Sequence, residues 1–222
     1  MKKIFLAIIV VLACSIQLKA QSKTDFQGVI TYSISFENAG LPPEIMERLK
    51  GSESVIFIKG GKRRIDLNTP IQNTSTFIDD KTKSIETSMD LGDKKYLIKM
   101  TDADIKSEKA EAPETTITYV DSTKQIAGYV CKEAKVTMKE KDGTSETVVV
   151  YYTTDIPVDK MKEVFEGLKG FPLEYTITQG GIKMTFSAKS VSKELVPDAK
   201  LDLPKDGYIE TTMEELKKTM GQ

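Results

Sequence analysis

The chain has 222 residues, 32 Lys and Arg against 33 Asp and Glu, a net charge of −1, two cysteines and no histidine. The missing histidine excludes Ser-His-Asp and Cys-His catalysis, histidine-based zinc sites and the usual proton shuttle near neutral pH. Lysines are interleaved with acids throughout, so the concentrated basic patch that displaces counterions from phosphate is lacking and nucleic-acid binding is not expected.

Lys2 and Lys3 precede an uninterrupted apolar run from Ile4 to Ala13. A run of about ten residues is too short for the ~30 Å core of a bilayer, so residues 1–20 are expected to be a secretory signal, cut after Ala20. The alternative is a lipoprotein anchored through Cys14, since Val11-Leu12-Ala13-Cys14 loosely resembles a lipobox; Leu12 is large for that motif. Cleavage after Ala20 would remove three lysines and no acid, leaving 29 basic against 33 acidic residues, a net charge of −4. Only Cys131 would remain, which rules out an intrachain disulfide and makes the core carry the fold. Cys131 has no partner in sequence for nucleophilic work and reads as a small buried apolar residue. Residues 21–222 fit one domain, with no transmembrane span.

The elements then follow in order. Ile30, Tyr32, Ile34 and Phe36 alternate with Thr31, Ser33 and Ser35, the pattern of a half-buried strand. Leu41-Pro42-Pro43 opens a short helix through Lys50 with Ile45, Met46 and Leu49 at helical spacing; being marginal alone, it is expected to cover the sheet as a lid or plug. Val55-Ile56-Phe57-Ile58 is apolar on both faces. Gly61 to Met100 reads as a meander of short antiparallel strands, KRRIDLN, STFIDD, KSIETSMD and KKYLIKM, parted by turn residues. In Lys62-Arg63-Arg64 the middle residue points away from the other two, and the tripeptide reads as a charged hairpin edge. Asp79, Asp80, Asp90 and Asp93 fit turn chemistry and match no twelve-residue calcium loop, so no metal is expected.

Thr101 to Glu114, rich in Asp, Glu, Lys and Ala and carrying Pro113, reads as a surface loop. Thr115–Val120 and Gln125–Cys131 read as two strands, followed by Ala134, Val136 and Met138 alternating with lysines, and an Asp142-Gly143 hairpin turn into Glu146–Tyr152. Val148 to Tyr152 should be buried on both faces. Met161, Val164, Phe165 and Leu168 predict a second helix over Val158–Lys169, ended by Gly170. Ile182, Met184, Phe186 and Ala188 alternate with Lys183, Thr185, Ser187 and Lys189. Gly180-Gly181 precedes them as a turn. Thr212 and Glu215 form a capping box for a short last helix.

In their order, Gly61-Lys62-Arg63-Arg64-Ile65-Asp66, Ile78-Asp79, Met89-Asp90, Lys95-Tyr96, Ile126 to Lys132, Tyr152 to Ile156, Gly170-Phe171-Pro172-Leu173 and Pro204 to Tyr208 resemble an exported bacterial family, domain of unknown function 4412. The likeness runs over nearly all of residues 21–222. It implies an architecture similar to the periplasmic lipoprotein carriers of the LolA and LolB type, and a hydrophobic ligand, with no catalytic residues to carry over.

The expected fold is therefore mainly β (β-rich α+β): a single curved antiparallel sheet or half-barrel of about nine to eleven strands, with two or three short helices packed on the concave face. The expected function is non-catalytic binding of a lipid, acyl chain or lipoprotein in the concavity of an exported, periplasmic protein. Ile34, Phe36, Phe57, Ile65, Leu67, Met89, Met100, Met184 and Phe186 are the candidate lining, with nine methionines in the chain offering adaptable thioethers. The same residues would also suit a filled core. In that alternative the protein is a structural or protein-interaction module of the envelope. Cofactors are not expected, and no pair of carboxylates with contrasting surroundings suggests an enzyme.

Overall fold

The computed structural model describes residues 26–37, 42–70, 72–157, 165, 167–179 and 181–220. The expected signal segment, Cys14, Leu41 and Gly180 lie outside them. Strands β1 (Gln27–Glu37), β2 (Glu53–Lys59), β3 (Lys62–Thr69), β4 (Gln72–Asp79), β5 (Ser84–Asp90) and β6 (Lys95–Lys99) are followed by β7 (Glu114–Ile126), β8 (Tyr129–Lys139), β9 (Ser145–Thr153), β10 (Phe171–Gln179), β11 (Ile182–Ser192) and β12 (Ile209–Thr211). Helix α1 (Pro43–Arg48) lies between β1 and β2, α2 (Asp102–Glu111) between β6 and β7, and α3 (Met213–Met220) after β12.

All twelve strands form one sheet in the order β12-β6-β5-β4-β3-β2-β1-β11-β10-β9-β8-β7. Every pairing is antiparallel except β12 on β6. The twelfth strand exceeds the expected number because Ile209–Thr211, which follow the closing turn, add a parallel edge strand. The sheet curls: β7, four places from β11 in the sheet, reaches back to touch it, and Lys193 beyond β11 lies over the Tyr129 ring at the β7–β8 tip.

Alternation along the strands divides the side chains between two faces. The inner face carries Ile30, Tyr32 and Ile34, whose neighbours in the main hydrophobic cluster are Ile56, Ile58, Val136, Val148, Val150, Leu173, Tyr175, Phe186 and Ala188. The outer face of β8–β11 carries the Thr137–Thr147 and Thr176–Thr185 hydroxyl pairs.

Several expectations are corrected. Residues 102–111 are the helix α2 and not a loop, because Thr101 and Asp104 close a capping box: the Asp104 amide donates to Thr101 Oγ1 and the Thr101 amide to Asp104 Oδ2. Ala, Glu and Lys are strong helix formers, and Pro113 stops the helix. No described residue of α2 is buried. The segment Gln125–Cys131 is two strands. Ala127 and Gly128, at φ 48° and 84°, form a two-residue turn, and β7 instead continues through a bulge near Asp121 and Ser122. Strand β9 is not buried on both faces, since Val149 is 42% exposed. Lys62-Arg63-Arg64 is not at an edge, because β3 pairs on both sides with β2 and β4. Arg63 is indeed opposite in sense to its neighbours, but that turns it into the inner face, where it is 1% exposed and donates to Asp80 Oδ1 at 2.9 Å. Of the helix expected over 158–169, residues 158–164 and 166 lie outside the described set, while Phe165 and 167–169 are bend, turn or coil.

Candidate functional site

Among the described residues, three segments cover parts of the sheet. The described residues of the connection between β9 and β10 lie on the inner face: Ile156, Phe165 and Leu168 join the main cluster, the Tyr119 hydroxyl donates to Gly167 O, and the Lys169 amide donates to Tyr119 Oη. At the other end α3 covers the inner face of β5 and β6, with Leu216 and Met213 against Met89, Leu91, Tyr96 and Ile98. The Thr212–Glu215 capping box starts this helix as the sequence predicts.

The third cover was not legible in the sequence. Residues 193–208 run across the outer face from β1 to β6. Gln27 donates to Val196 O, Lys59 bonds Asp198 at 2.6 Å, Lys200 sits over the Phe57 ring, Arg64 donates to Asp202 O, and Lys95 lies over Tyr208. Each sheet residue in that series is on the outer face by register. Val196, Leu201 and Leu203 of this strap are buried, as is Leu97 beneath it.

Between the β9–β10 cover and α3 lies the candidate site. Across β1, β11, β10, β9 and β8 the side chains Ile34, Phe186, Tyr175, Val150 and Ala134 are successive neighbours, all buried. Beside this row Phe36, Met184 and Ile177 are only half-buried. On the far side of β1, Ile65 stands opposite Ile56 and Leu67 opposite Ser54, again half-buried. Beyond them the inner face becomes polar with Thr74, Thr76 and Thr87, the last two sharing a 3.0 Å hydroxyl contact.

At the centre is an aromatic cluster. Tyr175 stacks on Phe186 at 4.9 Å, and Tyr32 and Phe165 meet Tyr175 edge-on at 6.0 and 5.6 Å. These are the offset-parallel and edge-to-face geometries that ring quadrupoles favour. Tyr32 donates to Pro172 O at 2.7 Å. Burial holds the Tyr32 hydroxyl well above its ordinary pKa, with Tyr175 and Cys131 adding to the effect, and burial alone raises Tyr175. Burial, foremost, pushes the Cys131 thiol up to about 11. It is therefore a protonated thiol at neutral pH, donating to Tyr129 O at 3.8 Å, and lacks the thiolate character a nucleophile needs.

Of the nine residues predicted as lining, Ile34, Phe36, Ile65, Leu67, Met184 and Phe186 share this part of the inner face. Met89 shares the face but lies beneath α3. Met100 is one residue past β6, its amide donating to Ile85 O. Phe57 is on the outer face, under Lys200 of the strap. Sequence reasoning passed over Tyr175 and Ile177, although Leu173, Tyr175 and Ile177 alternate with Glu174, Thr176 and Thr178 and could have been read as inward. The turn aspartates behave as their positions suggested: Asp79 Oδ1 accepts from the Lys81 and Thr82 amides, and Asp90 Oδ1 from Gly92. Asp80 differs, being the partner of buried Arg63.

No helix among the described residues is long and apolar enough to cross a membrane. No family model matches this chain, and no curated protein sequence matches it. Among solved structures, the Mycobacterium tuberculosis lipoprotein LppX is similar over 77% of this chain and 89% of its own, at 9% identity and a TM-score of 0.35. LprF from Mycobacterium bovis is similar over 78% of this chain and 89% of its own, at 10% identity and a TM-score of 0.33.

Proposed function

We propose that the protein is an exported, non-catalytic binding protein of the cell envelope that takes an apolar ligand, a lipid, an acyl chain or an acylated protein, on the inner face of its sheet. The observation that carries this reading is the half-buried apolar strip of Phe36, Ile65, Leu67, Ile177 and Met184, which continues the sealed core and lies between two covers. Apolar surface of this kind gains roughly 25 cal/mol for each Å² removed from water, so a chain laid along it binds without any charge pairing. A small number of polar groups, Ser54 and the threonines of β4 and β5, border the strip and would set the orientation of a ligand.

Native mass spectrometry and lipid extraction of protein purified from membrane-containing cells test this directly. A co-purifying apolar molecule, reduced by Leu67→Glu or Met184→Glu, is expected. Protein that carries no such molecule, and that takes up neither phospholipid nor free fatty acid from vesicles, would refute the reading.

A further inference from the structure

The two central tyrosines of the inner face are treated differently by their surroundings. Tyr32 spends its hydroxyl on the Pro172 carbonyl at 2.7 Å. Tyr175, its edge-on neighbour, is 7% exposed, and among the described residues its Oη meets no hydrogen-bond partner. Nor is that oxygen among the described polar atoms that are both fully buried and without a partner. A ligand that withdraws this hydroxyl from solvent must offer it an acceptor or leave a buried donor unsatisfied. Phenylalanine at this position would keep the stacking on Phe186 and place no donor there. Burial also raises the pKa of Tyr175, so the group is a protonated donor at every physiological pH.

Register places this donor beside the half-buried strip. Tyr175 lies opposite Phe186, and the next inward residue of its own strand, Ile177, lies opposite Met184. We infer that Tyr175 Oη is a head-group subsite: the ligand is an amphiphile whose hydrogen-bond acceptor, a carboxyl or ester carbonyl oxygen, meets this hydroxyl while its chain lies along Ile177, Met184 and Phe36. The inference rests on the proposed apolar-ligand function and adds the end of the chain that enters first and the chemistry it must carry. Tyr175 is a binding residue with no covalent role.

The test compares radiolabelled hexadecanoic acid with radiolabelled hexadecane, both delivered from cyclodextrin, on wild type and Tyr175→Phe. The expected result is that the variant binds the acid, a carboxylate at neutral pH, more weakly by about tenfold or more, the worth of one hydrogen bond to a charged acceptor, and binds hexadecane as wild type does. An unchanged affinity for the acid, or an equal loss for both probes, would overturn the subsite while leaving the apolar site intact. Wild type that binds neither probe overturns the apolar-ligand function and the subsite with it. Should the variant not fold, the carbonyl stretch of carbon-13-labelled methyl hexadecanoate bound to wild type reads the same contact. A shift below the free-ester frequency supports the subsite, and the free-ester frequency overturns it.

Discussion

In β1 and β7–β11 the inner face is apolar on strand after strand and closed by the β9–β10 connection, while the outer face carries paired threonines and the exposed Val149. In β2–β6 both faces bury side chains, with Ile56, Ile58, Ile78, Tyr96 and Ile98 buried on the inner one. Their inner face is interrupted by Arg63, Ser54, Thr74, Thr76 and Thr87, and their outer face holds Leu97, only 1% exposed, beneath a strap whose Val196, Leu201 and Leu203 are buried. One continuous hydrogen-bonded sheet thus buries chiefly its inner face at one end and both faces at the other. Which face is covered depends on which connection crosses it, and the half-buried strip lies where the two regimes meet.

Arg63 offers the most severe way to break this contrast, because it is a charge embedded in the inner face of the half that is otherwise least apolar there. Arg63→Met is expected to cost about 3–5 kcal/mol in urea unfolding, since it strands the Asp80 carboxylate. Adding Asp80→Asn should return most of the loss. A single variant as stable as wild type would show that the pair contributes little.

Truncations then compare the regimes directly. Leu173→Ala, at a fully buried site in β10, should cost about 3 kcal/mol, and Leu67→Ala, on the half-buried strip, about 1 kcal/mol. Equal costs would mean that the strip is as fully packed as the core and has no surface left for a ligand. Leu201→Ala in the strap should cost about 2 kcal/mol. Its signature is in hydrogen exchange, where faster exchange is expected in β6 and β12 with β8–β10 unchanged.

Acid gives the smallest effect. Asp90 is held below the usual carboxylate range chiefly by the Gly92 amide and then by Lys95, Asp198 chiefly by Lys59, and Glu215 chiefly by the Thr212 amide. All three belong to the β5–β6 end, the strap or α3. A lowered folded-state pKa gives stability that is present above the unfolded-state value and is lost as pH falls through the folded one. Exchange should therefore rise first in β5, β6, β12 and α3 as the pH drops below about 4. Asp198→Asn should flatten that response for the strap, as read by exchange across pH 5 to 2.

The mainly β class and most of the strands were legible because a half-buried strand writes its environment at every second residue. Ile30-Tyr32-Ile34-Phe36 and Ile182-Met184-Phe186-Ala188 identify their inward faces without reference to any neighbour. The capping box of α3 was readable for the same local reason. The failures were also physical. Ala127 was misread because a non-glycine residue in the left-handed region breaks the usual turn signal. The α2 segment was misread because its capping box uses Asp at the third helical position, and its lack of an apolar face left no periodicity to find. Phe57 was assigned to the lining because a strand apolar on both faces does not say which side its larger residues serve.

From the sequence alone came the alternation that assigns side chains to faces, the turns, the missing histidine that removes whole classes of catalysis, and the apolar character of the inner rows. Tertiary structure alone decided that 193–208 cross the outer face, that α3 rounds the β12 edge to cover Met89, and that Tyr32 is satisfied while Tyr175 is not. Those outcomes depend on contacts between residues more than a hundred positions apart, such as Lys59 with Asp198 and Tyr32 with Pro172. Periodicity is a property of a strand and its immediate environment; the identity of what covers that strand is set only when the whole chain has closed over it.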